Sequence, residues 1–242
     1  MDTQQLLIYA VRILLSVPSV LLALSFHEAA HGYVAYKLGD PTAKAVGRLT
    51  INPLRHLDPI GAICLLLFRY GWARPVPVNP RNFKNPRRGM ALVAIAGPLT
   101  NLLLGIASLL CSVGLYSLLW AGSQANLPQF LGMAITWGAL FFDIAFMINV
   151  GLAVFNLLPI PPLDGSRIAA LLLPPHLYFK IMRYERQIAI GLMVLLLIDS
   201  YVGPHLLQRL LNLIVMGLTY LVGMIPCFSW GVELMMLVHY YI

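Results

Sequence analysis

Long apolar runs dominate this chain, and short polar or proline-rich stretches separate them. A run of about 20 apolar residues is long enough to cross a bilayer as an α-helix. Five segments approach or exceed that length, at residues 6–36, 90–121, 130–158, 187–202 and 205–225. The tail, residues 226–242, is also apolar, and it either lies at the interface or completes a sixth segment. The pattern predicts an all-α polytopic membrane protein with about five to six membrane segments.

Two shorter features lie between the first two runs. Residues 45–51 (AVGRLTI) contain β-branched residues in partial alternation and end just before Asn52 and Pro53, which predicts a small membrane-associated β element. The apolar stretch at residues 59–68 is too short to span a bilayer, so we expect a re-entrant or interfacial segment there. Both features predict that the chain at the membrane edge includes segments that are not membrane-spanning helices.

Composition and charge agree with a membrane protein. Hydrophobic residues make up 60% of the chain and charged residues 10%, whereas soluble domains carry about 25% charged residues. The formal net charge is +7, and fourteen of the sixteen Lys and Arg residues lie either between Lys37 and Arg88 (ten) or between Arg167 and Arg186 (four). Because these basic residues separate the apolar runs, they indicate cytoplasmic loops and not a nucleic-acid-binding surface.

The loop charges also predict an orientation. With both basic blocks inside, the N-terminus lies outside and the third run ends at the cytoplasmic face, which suits a protein of the cell (inner) membrane. We expect one membrane-embedded domain over residues 1–242, with a catalytic core at about 5–170 and additional membrane segments at about 186–242. The first run lacks a basic leading region and an evident small-residue cleavage site, so we do not expect a cleaved signal peptide.

The sequence His-Glu-Ala-Ala-His at residues 27–31 is unusual inside an apolar run. Helix positions four apart lie about 40° apart and one turn from each other, so His27 and His31 can bind one metal ion. Glu28 lies on the adjacent face, where it can act as a general base towards a water at the metal. Zinc suits two imidazole nitrogens and a carboxylate with water in the fourth position, and we predict one Zn²⁺ per chain.

A third protein ligand is expected among the other acidic residues. Most of them lie near chain ends, in loops or at the edges of predicted spans, which leaves Asp143 and Asp164. Asp164 follows the inner end of the third run, at the same depth as the histidines at the inner end of the first run. Asp143 would lie about 20–30 Å from that depth at about 1.5 Å per helical residue. Asp164 is therefore the predicted ligand.

A proline-rich break precedes Asp164. Residues 159–162 (PIPP) stop the third helix and expose backbone groups, which membrane proteins tolerate only inside protein or beside water. Asn156, in the last turn before the break, is a candidate donor to a substrate carbonyl or its oxyanion. An equally good interpretation of Asn156 is a C-terminal helix cap.

Taken together, these motifs resemble those of the site-2 protease family of intramembrane zinc metalloproteases. That family combines H-E-x-x-H with N-x-x-P-x-P-x-L-D-G, and residues 156–165 (NLLPIPPLDG) match the second pattern throughout. Three further stretches resemble the compact subgroup without PDZ or CBS domains: GRLTINPLRHLDPIG, WARPVPVNP and AGPLTN. The resemblance covers roughly residues 20–170.

The resemblance implies an activity and a set of roles. His27, His31 and Asp164 are then the zinc ligands, and Glu28 is the catalytic base. The family cleaves transmembrane or membrane-proximal segments of other proteins, so the implied partners are a transmembrane protein substrate and the lipid bilayer. The stretch at 45–51 resembles the membrane-associated sheet that holds an unwound substrate by strand addition.

Three other polar or small residues have less specific interpretations. His56 is a candidate accessory ligand, gate or interfacial cap, and a structural or gating role is favoured over metal binding. Gly97 and Asn101, on the second run, favour tight helix packing with an interhelical amide hydrogen bond.

Two other functions are compatible with these residues. A membrane metal-ion transporter could use His27, His31 and Asp164 as a transit site, but transporters usually carry broken helices in both halves. The polar set here gathers at one face, which favours a protease. A catalytically inactive relative would bind membrane segments without cutting them, and the intact Glu28 argues against that role.

Overall fold

The computed structural model describes residues 3–59, 61, 73–124, 127–201, 203, 205–226 and 228–241. Six longer α-helices occupy most of this part of the chain: Thr3–Lys37, Pro86–Gln124, Gln129–Leu157, Glu185–Tyr201, Leu206–Gly223 and Ser229–Tyr241. Shorter helical elements lie between them: Thr42–Ala45, Pro53–His56, the 3-10 turn Pro80–Asn82, Asp164–Ala169 and Pro175–Met182. The predicted helical class is confirmed.

Four stretches of the described helices are long and apolar enough to cross a membrane: Ala10–Lys37, Pro86–Gly122, Gln129–Leu157 and Leu206–Gly223. The first three are called the first, second and third spans below. On the fourth predicted run, the helix Glu185–Tyr201 has 17 residues, somewhat fewer than the 20 or so that a bilayer requires. The helices therefore indicate an integral membrane protein, and the predicted count of five to six segments is not confirmed.

The chain divides into two compact units. The first unit consists of Met1–Val20, Leu102–Gly151 and Gln208–Ile242, and the second of Leu21–Asn101 and Leu152–Leu207. Large buried side chains of the first unit include Leu109, Tyr116 and Phe146. The second unit has a small apolar cluster around Ala35, Phe83 and Val93, and it contains all of the predicted site residues. The single domain expected over residues 1–242 stays a prediction.

The strand predicted for residues 45–51 is wrong. The helical turn Thr42–Ala45 occupies its start, and Gly47 follows with a φ of +66°, a left-handed conformation that glycine adopts without strain. The Arg48 N–H donates to the Ala43 carbonyl at 2.9 Å, which is the bond that closes a Schellman motif. Local helix capping therefore overrides the β-branched pattern in this stretch.

The described part of the chain contains no β-strand, and its β pairing is limited to an isolated antiparallel bridge between Leu57 and Ala73. A single extended segment is not stable as a strand unless a neighbour pairs with its N–H and C=O groups. The re-entrant segment predicted at residues 59–68 lies outside the described residues apart from Pro59 and Gly61.

Candidate metal centre

The two histidines of the first span and Asp164 come together in the second unit. The Nε2 atoms of His27 and His31 are 3.0 Å apart, and Oδ2 of Asp164 lies 3.1 Å from the first and 3.2 Å from the second. Ligands of a tetrahedral zinc ion with bonds of about 2.0 Å are separated by about 3.3 Å. The three atoms therefore fit the ligand set of one zinc ion with only small adjustments.

The break after the third span brings Asp164 into this position. The helix Gln129–Leu157 ends before the prolines, and the short helix Asp164–Ala169 then begins at Asp164 itself. Beyond the other end of the short helix, Arg87 Nε donates to the Ala170 carbonyl at 2.8 Å, and its Nη2 donates to the Leu173 carbonyl. The start of the second span thus holds the segment that carries Asp164.

Hydrogen bonds to the Nδ1 atoms define the tautomers of both imidazoles. His31 Nδ1 lies 2.7 Å from the Val93 carbonyl oxygen, and His27 Nδ1 lies 2.5 Å from Asn101 Oδ1. The Asn101 amide is oriented by its own Nδ2, which donates to the Ala23 carbonyl at 3.1 Å. Both partners of the rings are acceptors, so each Nδ1 carries a proton, and a neutral ring then presents an unprotonated Nε2.

The resulting donor set suits a cation. Two unprotonated Nε2 atoms and a carboxylate oxygen, all within 3.2 Å of one another, repel each other unless a positive charge lies between them. Hydrogen bonds from the second ring nitrogen to a carbonyl or amide are the usual means of orienting histidine ligands. The arrangement of lone pairs and the short distances between the ligand atoms therefore both support a metal site at His27, His31 and Asp164.

Gly97 allows the second span to approach the two rings. A Cβ atom at this position would lie 2.6 Å from His27 Cε1 and Nε2 and 2.6 Å from His31 Cε1, closer than non-bonded atoms can come. Val93, Gly97 and Asn101 are spaced by four residues and therefore lie along one face of the helix. That spacing was the sequence signal that could have identified a helix face supporting the histidines. The sequence predicted a packing role for Gly97 and Asn101, but it did not predict that they pack against His27 and His31.

Glu28 follows His27 directly in the chain and is not one of the three clustered ligands. Its Oε2 accepts a hydrogen bond of 2.8 Å from the Val76 N–H. A carboxylate that is near a metal site but does not belong to the ligand set is suited to accept a proton from water. The sequence predicted this role for Glu28, but it did not predict the hydrogen bond from Val76.

The structure does not bring His56 or Asn156 into the cluster of ligand atoms. His56 is buried, and its Nε2 donates to the Thr50 carbonyl at 2.7 Å. Asn156 Nδ2 donates to the Leu152 carbonyl of its own helix at 3.0 Å. The accessory or gating role of His56 and the substrate-binding role of Asn156 stay predictions. The rejected ligand candidate, Asp143, is buried in the first unit.

Apolar spanning helices and a His-His-Asp set next to a glutamate, with both histidines buried, are the features of a membrane metalloprotease. Comparison with known proteins supports this class. Residues 16–198 match peptidase family M50, and the chain belongs to this family. The resemblance to site-2 proteases predicted from the motifs is thereby confirmed, as are the protease and metalloprotease classes.

Several named relatives are similar to this chain. YwhC of Bacillus subtilis, a candidate zinc metalloprotease by name, is 43% identical over 198 residues, covering 80% of this chain and 84% of YwhC. Rip2 of Mycolicibacterium smegmatis, named in the same way, is 31% identical over 180 residues, covering 73% of this chain and 62% of Rip2. The zinc metalloprotease MJ0392 of Methanocaldococcus jannaschii is 27% identical over 208 residues, covering 86% of this chain and 48% of MJ0392. No solved structure matches the chain.

Proposed function

We propose that this protein is an intramembrane zinc endopeptidase of the site-2 type, which hydrolyses a peptide bond in a transmembrane or membrane-proximal segment of another membrane protein. The observation that carries the proposal is the triangle of ligand atoms from His27, His31 and Asp164, with sides of 3.0–3.2 Å. Glu28, next to one ligand, supplies the base that a hydrolase needs and a passive metal store does not.

The residues of the site have separate roles in this reaction. Zinc, when bound, supplies a Lewis acid that polarises the scissile carbonyl and makes water more acidic. Glu28 accepts a proton from the water as its oxygen bonds to the carbonyl carbon, and then passes that proton to the leaving amine as the C–N bond breaks. His27 and His31 stay oriented as ligands because Asn101 and the Val93 carbonyl hold their Nδ1–H groups.

The substrate must be locally extended for this chemistry, because the peptide groups of an intact helix are shielded. Strand addition at residues 45–51 is not part of the proposal, since these residues form a capped helical turn and an irregular segment. Donation from Asn156 to the substrate carbonyl stays within the proposal, and its amide would first have to leave the Leu152 carbonyl.

The decisive experiment pairs metal content with cleavage. We expect about one zinc per chain in protein purified in mild detergent, and cleavage of at least one protein in a panel of single-span membrane proteins. Glu28→Gln should keep the zinc and lose the cleavage, because Glu28 is the base and not a ligand. Cleavage by Glu28→Gln at a rate close to that of the wild type would contradict the mechanism.

Metal transport is the alternative that the same experiment must separate. Its support is weaker, because hydrogen bonds to both Nδ1 atoms and the close approach of Gly97 hold the imidazoles in one arrangement. A transit site must release its ion as readily as it binds it. Zinc uptake into proteoliposomes by both the wild type and Glu28→Gln, without cleavage of any substrate, would favour transport over proteolysis.

We also propose that the protein lies in the cell membrane with its N-terminus outside and the metal site near the cytoplasmic face. The support is the basic block between Lys37 and Arg88, which holds ten of the sixteen Lys and Arg residues. Single cysteines introduced as Asn82→Cys and Arg183→Cys should react with a membrane-impermeant reagent only from inside, and Ser123→Cys only from outside. Labelling of Asn82→Cys from outside would reverse the orientation.

A further inference from the structure

A short segment contacts the first span beside Glu28. This segment, Ala73–Asn79 (ARPVPVN), is called the Pro-Val-Pro segment here. The Val76 N–H donates to Glu28 Oε2 at 2.8 Å. The Val76 side chain is buried and packs close to Gly32, where a Cβ atom would lie 3.2 Å from Val76 Cγ1. One residue therefore contacts the first span through both its backbone and its side chain.

The local sequence constrains this segment to an extended shape with few hydrogen-bond donors. Pro75 and Pro77 have φ fixed near −65°, and the residues that precede them, Arg74 and Val76, are disfavoured in the helical region. Neither proline has an N–H. Between Arg74 and Val78, Val76 is therefore the only residue with a backbone N–H to donate, and that donor is the one that meets Glu28.

Both ends of the segment are anchored to other parts of the second unit. At the start, the Arg74 N–H donates to the His56 carbonyl at 2.8 Å. At the end, the Asn79 N–H donates to Asp40 Oδ2 at 2.7 Å. Asp40 is buried just beyond the first span, so it ties the segment to the helix that carries Glu28. The position of Val76 is thus determined from both sides, independently of its bond to Glu28.

We propose that Val76 is a positioning residue for the catalytic base, acting through its backbone N–H. The N–H holds Glu28 by Oε2, and Oε1, for which no donor is observed in the described part of the chain, is left to accept the proton of the water. A carboxylate restrained at one oxygen loses most of its rotational freedom, which places the proton acceptor before the reaction begins. This inference rests on the proposed function of Glu28.

The kinetic test compares two proline substitutions in the same segment. Val76→Pro removes the N–H that bonds Glu28, and Val78→Pro makes the same change two residues later, where no acceptor for the N–H is observed in the described chain. Val76→Pro creates three consecutive prolines and Val78→Pro creates two, so both variants stiffen the same segment. Val76→Pro should lower kcat about 10- to 100-fold, the range for losing a hydrogen bond to a charged group, with KM and zinc content near those of the wild type.

Val76→Ala separates the backbone role from the side-chain role. It shortens the buried side chain but keeps the N–H, so its kcat should stay within a few fold of the wild type. A Val76→Pro variant with the kcat of Val78→Pro would overturn the proposal. The same conclusion would follow if Val76→Ala lost as much kcat as Val76→Pro, because side-chain packing would then explain the loss.

Amide hydrogen exchange gives a second readout that needs neither cleavage nor a proline variant. In full-length Glu28→Ala the Val76 N–H has lost its acceptor, and it should exchange about tenfold or more faster than in the wild type. The N–H groups of Arg74 and Asn79 keep their partners and serve as internal controls. Equal exchange of the Val76 N–H in the wild type and Glu28→Ala would overturn the hydrogen bond on which the proposal depends.

These readouts distinguish failure of this inference from failure of the proposed function. A zinc-loaded wild type that cleaves no membrane protein contradicts the proposed function, whatever the exchange rate at Val76. An active wild type whose kcat is unchanged by Val76→Pro contradicts the positioning role and leaves the proposed function intact.

Discussion

The first and second spans contribute to the same candidate metal centre in different ways. The first span carries His27, Glu28 and His31 in one five-residue motif, and each supplies a group with distinctive chemistry. The second span contributes a backbone carbonyl at Val93, a missing side chain at Gly97 and an amide at Asn101. None of these three groups is characteristic of metal sites on its own.

This difference shows that binding a metal and orienting its ligands place unequal demands on residue type. A ligand must offer a lone pair of the right kind, so only a few residue types qualify. An orienting group needs only to accept one hydrogen bond or to leave space, and almost any backbone position can do so when it lies in the right place. Substitutions in the two spans should therefore differ in how completely they abolish zinc binding.

The largest effect is expected from the ligands. His27→Ala, His31→Ala and Asp164→Ala should each reduce zinc from about one per chain to nearly none after dialysis, because two protein ligands do not retain zinc as three do. Metal analysis of the purified variants measures this directly. Full zinc retention in all three variants would show that the ligand set is wrong.

Gly97→Ala should be nearly as damaging as loss of a ligand. Its Cβ atom would lie 2.6 Å from both imidazole rings, and relieving an overpacked contact of this kind costs about 1–3 kcal/mol. We expect zinc affinity to fall about 100-fold in competition with a chelator. Gly114→Ala in the same helix is the matched control, because the nearest atom to its Cβ would be 3.9 Å away. Equal affinities of the two variants would mean that the second span does not approach the rings.

Asn101→Ala should have a smaller effect on zinc. It removes the acceptor of the His27 Nδ1–H but leaves all three ligands, and loss of such an outer hydrogen bond lowers metal affinity about 10-fold or somewhat more. Asn101→Asp keeps an acceptor at the same place and should recover most of the affinity. If Asn101→Asp binds zinc no better than Asn101→Ala, the hydrogen bond to His27 does not orient the ring.

Arg87→Ala tests the support of the third ligand. Without hydrogen bonds to the carbonyls of Ala170 and Leu173, the segment after Asp164 is less restrained, and the unfolding free energy should drop by about 1–3 kcal/mol. Zinc affinity should decrease only a few fold, since Asp164 itself remains. The adjacent Arg88→Ala makes the same chemical change at an exposed site and is the control. Thermal unfolding measured with and without zinc should show Arg88→Ala to be about as stable as the wild type.

The smallest effect on the metal, and a distinct effect of pH, is expected at Asp40. Burial alone would raise the pKa of this carboxyl, but hydrogen bonds from Thr42, Asn79 and Asn82 outweigh burial and hold the pKa below its usual range. The folded state therefore gains stability from Asp40 above about pH 4, the ordinary pKa of an aspartate. That stability is lost as the pH falls through the lowered pKa.

Thermal unfolding measured between pH 6 and pH 3 checks this expectation. Asp40→Asn should be less stable than the wild type at pH 6 and should lose less additional stability on acidification. Asp58→Asn, which changes a carboxyl that accepts a hydrogen bond from the Gly61 N–H, is the control and should follow the wild-type slope more closely. Identical pH slopes for the wild type and Asp40→Asn would contradict the assignment.

Helix class and spans could be predicted from the sequence because hydrophobic runs act locally. The second and third predicted runs, at residues 90–121 and 130–158, lie close to the spans Pro86–Gly122 and Gln129–Leu157. The conformation of residues 45–51 could not be predicted from a local pattern in the same way. Their β-branched pattern is local, but a strand also needs a paired neighbour, and Gly47 instead ends a helical turn.

The sequence by itself determined which chemical groups belong to the candidate metal centre. Helical spacing places His27 and His31 on one face, and the position of Asp164 after the third span makes it the acidic residue at their depth. Both arguments depend on distances along a helix, which are the same in every protein.

Only the tertiary structure decided how those groups are held. The tautomers of both histidines depend on acceptors on the second span, Asn101 and the Val93 carbonyl, and Glu28 is held by the N–H of Val76. Backbone carbonyls and N–H groups occur at nearly every position, so residue type does not mark the few that are used. Contacts between residues far apart in the chain select them, and those contacts exist only once the helices have packed.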